Sequence, residues 1–132
     1  MLFKKKAGPT FIFLFGLFGL YLPMLKKSQI NTDTLMLWAE RKLGPSKCKR
    51  IFIVDRQNAD YGWYDWNGNI YINIRNAGSM PSIYRTLAHE WTHAQQTYHM
   101  YTKLHKRYGY DNNPYEIAAR NREKTCFNRV NC

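Results

Sequence analysis

The chain has 132 residues, enough for one domain with a short appendage. Apolar residues make up 45% and aromatic residues 16% of it, which favours a packed core and excludes an intrinsically disordered protein. The 20 Lys and Arg against 9 Asp and Glu give a net charge of +11, but the basic residues are scattered and no nucleic-acid motif accompanies them. We therefore expect no nucleic-acid partner.

An uncharged N-terminal run is the first feature along the chain. Residues 7–25 (AGPTFIFLFGLFGLYLPML) are rich in Phe and Leu, and these 19 residues are just long enough to cross a bilayer. Lysines flank the run at 4–6 and 26–27, and no small-residue cleavage site follows it. We expect residues 1–27 to form a single-pass signal anchor and residues 28–132 an extracytoplasmic domain, with secretion after cleavage as the alternative.

The domain begins with a predicted helix and a predicted strand. Asn31, Thr32 and Asp33 offer N-caps for a helix over about 33–43, which Gly44-Pro45 ends. Residues 50–54 (RIFIV) are apolar and mostly β-branched, which is typical of a buried strand.

A predicted hairpin and two further helices follow. Asn67-Gly68 is a strong turn signal between the aromatic stretch 61–66 (YGWYDW) and the alternating strand 69–74 (NIYINI). Proline opens a long helix over about 81–101 and a final helix over about 114–124. Together these elements predict an α+β domain.

Residues 89–93 (HEWTH) are the strongest functional signal in the chain. Helix positions four apart are separated by about 40°, so His89 and His93 can direct two imidazoles at one ion. Nitrogen ligands at this spacing suit Zn²⁺, and Glu90 is placed to take a proton from a metal-activated water. The apolar residues of the helix lie away from the two histidines, so we expect the histidine face to line a cleft.

The strand, short loop and HExxH helix resemble the zincin metallopeptidases over residues 69–123, and the layout is similar to small zincin-like peptidases of bacteria and phages. The resemblance implies a minimal zincin-like domain, in which a small antiparallel or mixed sheet supports an active-site helix and a following ligand helix. It also implies that strand 69–74 lies at an edge and pairs with an extended peptide or protein substrate.

Glu116 is the leading candidate for a third ligand, because catalytic zinc sites usually have three protein ligands. A Glu from the next helix resembles the gluzincin arrangement. Arg120 departs from that pattern, since gluzincins often have an acidic residue at this place that supports a ligand histidine. Asn113 as N-cap would also place Glu116 at the N3 position of a capping box, which needs no metal.

His99 and Glu123 are the other candidates for the third ligand. His99 has the spacing of the metzincin third histidine, but Gln96 stands where that pattern needs Gly, and no later Met follows Met100. Glu123 lies two turns after Glu116 on the same helix face.

The hypothesis that best joins these observations is zinc-dependent peptide-bond hydrolysis, with Glu90 as general base. The oxyanion donor is left open among residues of the following segment: His99, Tyr108, Tyr110 and Tyr115. The alternatives are a zincin-fold binding or assembly protein without catalysis and a cell-wall amide hydrolase. Among the three cysteines, Cys126 and Cys132 could close a small loop, which would leave Cys48 over.

Overall fold

The computed structural model describes residues 4–6, 25–126 and 132, which form an α+β domain. Its strands are β1 (Lys4–Lys6), β2 (Arg50–Val54), β3 (Asp60–Tyr64) and β4 (Asn69–Asn73). Its α-helices are α1 (Thr32–Leu43), α2 (Met80–Ala94), α3 (Tyr98–Tyr108) and α4 (Pro114–Thr125). A short 3₁₀ turn, Lys27–Gln29, precedes α1.

β4 is a central strand of a mixed sheet with the order β1-β3-β4-β2. β3 and β4 form an antiparallel hairpin in which Tyr64 lies opposite Ile70, so the hairpin predicted around Asn67-Gly68 is confirmed. β2 lies parallel to β4 on the other side, with Val54 opposite Asn73. β1 pairs antiparallel with the outer edge of β3.

The expectation that residues 69–74 form an edge strand is wrong, because β4 is paired along both edges. A peptide therefore cannot add to it. β2, predicted as a buried strand, is instead the outer strand, and its Phe52 side chain is 37% exposed while Ile51 is buried. Alternation of apolar and polar residues indicates which face of a strand is covered, but it carries no information about which edge is paired.

One face of the sheet packs against α2 and α1. The buried residues of this layer are Leu35, Trp38, Ala39, Ile51, Ile70, Ile72, Ile83, Leu87, Ala88 and Trp91. Gly62 allows α2 to approach the hairpin closely, since a Cβ there would lie 2.6 Å from the Cγ2 atom of Thr86. The contact sets the position of α2, and with it HEWTH, above the sheet.

The long helix predicted over 81–101 is two helices. α2 ends at Ala94, and α3 begins after Thr97, whose side chain caps it by accepting a hydrogen bond from the Met100 amide. At the break, the Gln95 side-chain amide donates to the carbonyls of Leu43 and Pro45. Tertiary hydrogen bonds thus end α2 where the sequence has neither Gly nor Pro.

The membrane anchor expected at residues 1–27 is not supported. Within the described parts of the chain, no helix combines the length and apolar character that a bilayer span requires. Most of the apolar run, residues 7–24, lies outside the described residues. The lysines at 4–6 were expected across the membrane from the domain, yet β1 pairs with β3 in the same sheet. This pairing does not agree with a membrane span between β1 and the domain, so the prediction of a single-pass anchor is wrong.

The cysteines behave differently from one another. Cys126, just after α4, forms a disulfide with Cys132, the pairing that loop closure suggested. Cys48 is a free, half-buried thiol, and burial raises its pKa to about 11. Cys48 therefore stays protonated at neutral pH, which makes it a poor nucleophile.

Candidate metal centre

α2 carries the HEWTH residues on a buried face. Ser79 caps the helix by accepting a hydrogen bond from the Ser82 amide. His89 and Glu90 are each 1% exposed and His93 is 2% exposed, because α4 packs across this face. The expected open cleft is therefore absent around these three side chains. The pattern of α2 shows which face is polar, but not that another helix covers it.

α4 brings Glu116 to the two histidines. Asn113 caps α4 by accepting a hydrogen bond from the Tyr115 amide, and Pro114 is the first helical residue, as predicted. Glu116 follows in the first turn and is 1% exposed. Its carboxylate contacts the histidines, so its position is explained by the cluster rather than by a capping box.

Three potential ligand atoms meet between α2 and α4. The Nε2 atoms of His89 and His93 lie 3.2 Å apart. The carboxylate of Glu116 lies 2.5 Å from Nε2 of His93 and 3.7 Å from Nε2 of His89. Ligands bound to one zinc at about 2.0–2.2 Å would lie roughly 3.3 Å apart, so the observed spacings bracket this value. The three residues could hold a metal ion.

The outer nitrogen of each histidine is held by a hydrogen bond. Nδ1 of His89 lies 2.7 Å from the Glu123 carboxylate, and Nδ1 of His93 lies 2.8 Å from Oε1 of Gln96. Both oxygens accept, so each Nδ1 donates a proton and each Nε2 points inward. Gln96 is itself fixed by donating to the Tyr115 carbonyl. Such partners orient metal-binding imidazoles and make them better ligands.

Glu123 makes the hydrogen bond to a histidine ring that the gluzincin pattern assigns to an acidic residue at the position of Arg120. Glu116 and Glu123 are seven residues apart, which places them on one face of α4 two turns from each other. The Arg120 guanidinium instead donates to the backbone carbonyl of Asp111. His99 is exposed on α3 and is not part of the three-residue cluster.

Charges are shared across the cluster. Burial alone would lower the pKa of His89, but its contacts with Glu116 and Glu123 outweigh burial and raise it to about 9. Burial likewise opposes a charge on Glu116, yet the two histidines hold the pKa of this carboxyl far below its usual value. Without a metal, a proton on His89 therefore balances the buried carboxylates, and a metal binding there would displace it.

Two tyrosines face the same carboxylate. Burial, followed by the charge of Glu116 and a hydrogen bond to it, raises the pKa of Tyr101 and of Tyr110 far above the usual value. Both hydroxyls therefore remain protonated donors at neutral pH. Glu90 lies close enough for its charge to contribute to both shifts.

The four residues predicted as candidate oxyanion donors lie in different surroundings. Tyr110 lies beside the cluster, whereas Tyr108 and His99 are exposed. Tyr115 contributes its backbone carbonyl to Gln96. Sequence reasoning missed Tyr101, because its helical position matched the apolar stripe of a continuous helix that actually breaks after Ala94.

Trp66 is the second residue that sequence reasoning missed. It lies in the β3–β4 turn, and its ring centre is 5.8 Å from that of His93 and 5.0 Å from that of Tyr101. Its φ is 65°, and among the residues that the structure describes no other non-glycine residue has a positive φ. A left-handed conformation costs a bulky L-residue about 1–2 kcal/mol. The aromatic residues of YGWYDW indicated aromatic packing in this segment. They did not indicate the positive φ of Trp66.

Comparisons with protein-family models, curated proteins and solved structures find no match to this chain. The donor set itself is therefore the guide to function. Two imidazole nitrogens and one carboxylate oxygen, all buried, suit a divalent metal ion.

Proposed function

We propose that the chain is a zinc-dependent peptidase of the zincin type, with a gluzincin-like ligand set of His89, His93 and Glu116. The observation that carries the proposal is the meeting of these three residues from two helices, next to a buried Glu90. The α+β architecture, with a strand followed by the HExxH helix and then a ligand helix, agrees with it.

Zinc is the metal that this donor set favours. Two histidines and one glutamate leave a fourth tetrahedral position open, which is typical of catalytic rather than structural zinc sites. Bound there, zinc would supply a Lewis acid that polarises a carbonyl and lowers the pKa of water towards about 7.

Glu90 acts as general base in this proposal. It adjoins His89 on α2, and its charge contributes to the raised pKa values of His89, Tyr101 and Tyr110, so it lies among the groups of the centre. Its carboxylate takes a proton from the attacking water and passes it to the leaving amine.

Tyr110 is the proposed donor to the developing oxyanion. Burial and the neighbouring charge of Glu116 raise the pKa of its hydroxyl, which therefore stays a proton donor even well above neutral pH. Tyr110 is also half-buried rather than fully buried, in contrast to Tyr101.

The test uses the full chain and three proteins: wild type, Glu90→Gln and Glu116→Ala. We expect wild type to bind one zinc and cleave casein, Glu90→Gln to bind zinc without cleavage, and Glu116→Ala to lose most of the zinc. A wild-type protein without zinc would refute the proposal. Full zinc in Glu116→Ala would refute the gluzincin-like ligand set.

The burial of the centre favours a second candidate, a metal-binding scaffold without catalysis. His89, Glu90, His93 and Glu116 are all at most 2% exposed, which leaves little access for a polypeptide. Such a scaffold would bind zinc, yet neither casein nor peptidoglycan would be turned over. Against it stands Glu90, since a structural site has no chemical need for another buried carboxylate.

A further inference from the structure

The turn between β3 and β4 is held rigid by one carboxylate. Asp65 accepts hydrogen bonds from the Asn67 amide at 2.7 Å, the Asn69 amide at 3.1 Å and the Asn69 side chain at 2.7 Å. Its own amide donates to the Asn69 carbonyl. The residues between Asp65 and Asn69 are thereby closed into a tight loop, and Trp66 is one of them.

This loop drives the Trp66 side chain inward. Trp66 has a φ of 65°, a conformation that Gly or Asn adopts far more readily than a bulky residue. Its ring contacts four others, those of Tyr64, His93, Tyr98 and Tyr101, with ring centres 5.0–5.8 Å away. Strained residues of this kind persist where their surroundings hold them, and they cluster at functional sites.

His93 is enclosed by groups of different origin. Trp66 contacts its ring from the hairpin turn, Tyr101 meets it edge-on from α3 at 5.3 Å, and Gln96 accepts a hydrogen bond from its Nδ1. Of these three residues, Trp66 is the one that comes from the β3–β4 hairpin, through its turn. It therefore links the orientation of the imidazole to the rigid hairpin rather than to the helices.

We propose that Trp66 is a positioning residue for the metal centre, whose ring, fixed by the Asp65 turn, holds the His93 imidazole and the Tyr101 ring in place. An ordinary core tryptophan would not require a left-handed backbone in a polar turn. In this proposal, the positive φ of Trp66 is kept because it lets the ring reach His93 from the β3–β4 turn. The inference rests on the metal site of the proposed function, but not on catalysis.

The test compares metal affinities of the full chain, measured with a competing chelator and by the visible absorption of bound Co²⁺. Trp66→Gly removes the ring and relieves the backbone, and we expect its affinity to fall about 10- to 100-fold, as for other groups that orient ligands. Trp66→Phe keeps a ring and should stay close to wild type. Asp65→Ala keeps Trp66 but loosens the turn, and it should also weaken binding.

Phe52→Ala is the matched control, since it deletes an exposed aromatic side chain of β2. We expect it to keep wild-type affinity and the wild-type Co²⁺ spectrum. Circular dichroism of the metal-free proteins identifies which variants fold. Wild-type affinity in folded Trp66→Gly would overturn the inference, and so would wild-type affinity in Asp65→Ala if Trp66→Gly does not fold. A wild type that binds no metal would instead refute the proposed function.

Discussion

Hydrogen bonds to the outer nitrogens decide how the two histidines present themselves. Glu123 and Gln96 each accept a hydrogen bond from Nδ1, so both Nε2 atoms turn towards Glu116. These two acceptors hold each ring in the orientation that a metal ligand needs, so metal binding does not have to turn the rings. The quality of the centre therefore depends on residues that need not touch the metal.

Glu123→Ala should weaken metal binding about 10- to 100-fold, because Nδ1 of His89 loses its acceptor. The measurement is a chelator competition at pH 7. Glu40→Ala, which removes an exposed carboxylate from α1, serves as the control and should change nothing. Equal affinities for the two variants would show that Glu123 has no supporting role.

The metal-free protein should lose stability as the pH rises. The pKa of His89 is raised to about 9 in the folded state, against about 6.5 when unfolded. Its contribution is therefore complete below about pH 6.5 and is lost as the pH climbs through 9. Thermal unfolding should show the melting temperature falling by roughly 10 °C over this window, since the difference of about 2.5 between the two pKa values corresponds to about 3 kcal/mol. With metal bound the fall should disappear, and a flat metal-free profile would contradict the assignment.

At the scale of elements, the contact between β3 and α2 fixes the position of His89 and His93 above the sheet. Gly62 faces α2 without a side chain, and an added Cβ would lie 2.5 Å from the Tyr71 carbonyl as well as 2.6 Å from Thr86. No real Cβ tolerates either distance, so the helix or the hairpin must shift. The glycine is thus a steric requirement of the layer packing.

Gly62→Ala should therefore destabilise the fold by about 1–3 kcal/mol, the usual cost of overpacking. Urea unfolding gives the value. Gly109→Ala is the comparison, since its Cβ would meet nothing within 4 Å and only the left-handed φ of 76° is penalised. A loss below about 0.5 kcal/mol for Gly62→Ala would show that α2 or the hairpin can move away freely, while Gly109→Ala gives the cost of a positive φ without a steric clash.

Local signals predicted the elements better than their arrangement. The caps Asn31 and Asn113 and the breaker Gly44 located α1 and α4 to within a residue, because these signals act within one turn of a helix. The end of α2 was missed because Gln95 reaches α1, a partner some 50 positions away in sequence. The order of strands was missed for a similar reason, since pairing of β2 with β4 is non-local.

In the candidate site too, local signals were predictable from the sequence and non-local contacts were not. His89, Glu90 and His93 could be read from the spacing in HEWTH, and Glu116 from its place in the next helix. Trp66 and Tyr101 could not, because their approach to His93 depends on the turn conformation and on the break between α2 and α3. Glu123 could be placed on the correct face, but not assigned to His89.

At the scale of the whole molecule, the centre fastens α2 to α4. His89 and His93 come from α2 and Glu116 from α4, and these are the helices with the most extensive mutual contact. A metal that binds only the folded state stabilises it by mass action. The fold and the site are therefore expected to respond together to metal.

Metal at about 100 times its dissociation constant should add roughly 2.7 kcal/mol, which corresponds to about 10 °C in melting temperature. Scanning calorimetry with zinc, and then with excess chelator, measures the difference. Glu116→Ala should show no such response. A wild-type melting temperature that is indifferent to zinc would mean that the cluster holds no metal in solution.

The parallel pairing of β2 with β4 also constrains how the chain folds. β2 cannot find its partner until β3 has reversed the chain, because two parallel strands need a crossover between them. The β3–β4 hairpin closes over a short loop and is entropically the cheapest of the sheet's pairings to form. Its turn carries Trp66. We therefore expect the turn that carries Trp66 to form early in folding. Helices α2 and α4, which carry His89, His93 and Glu116, would then pack against it.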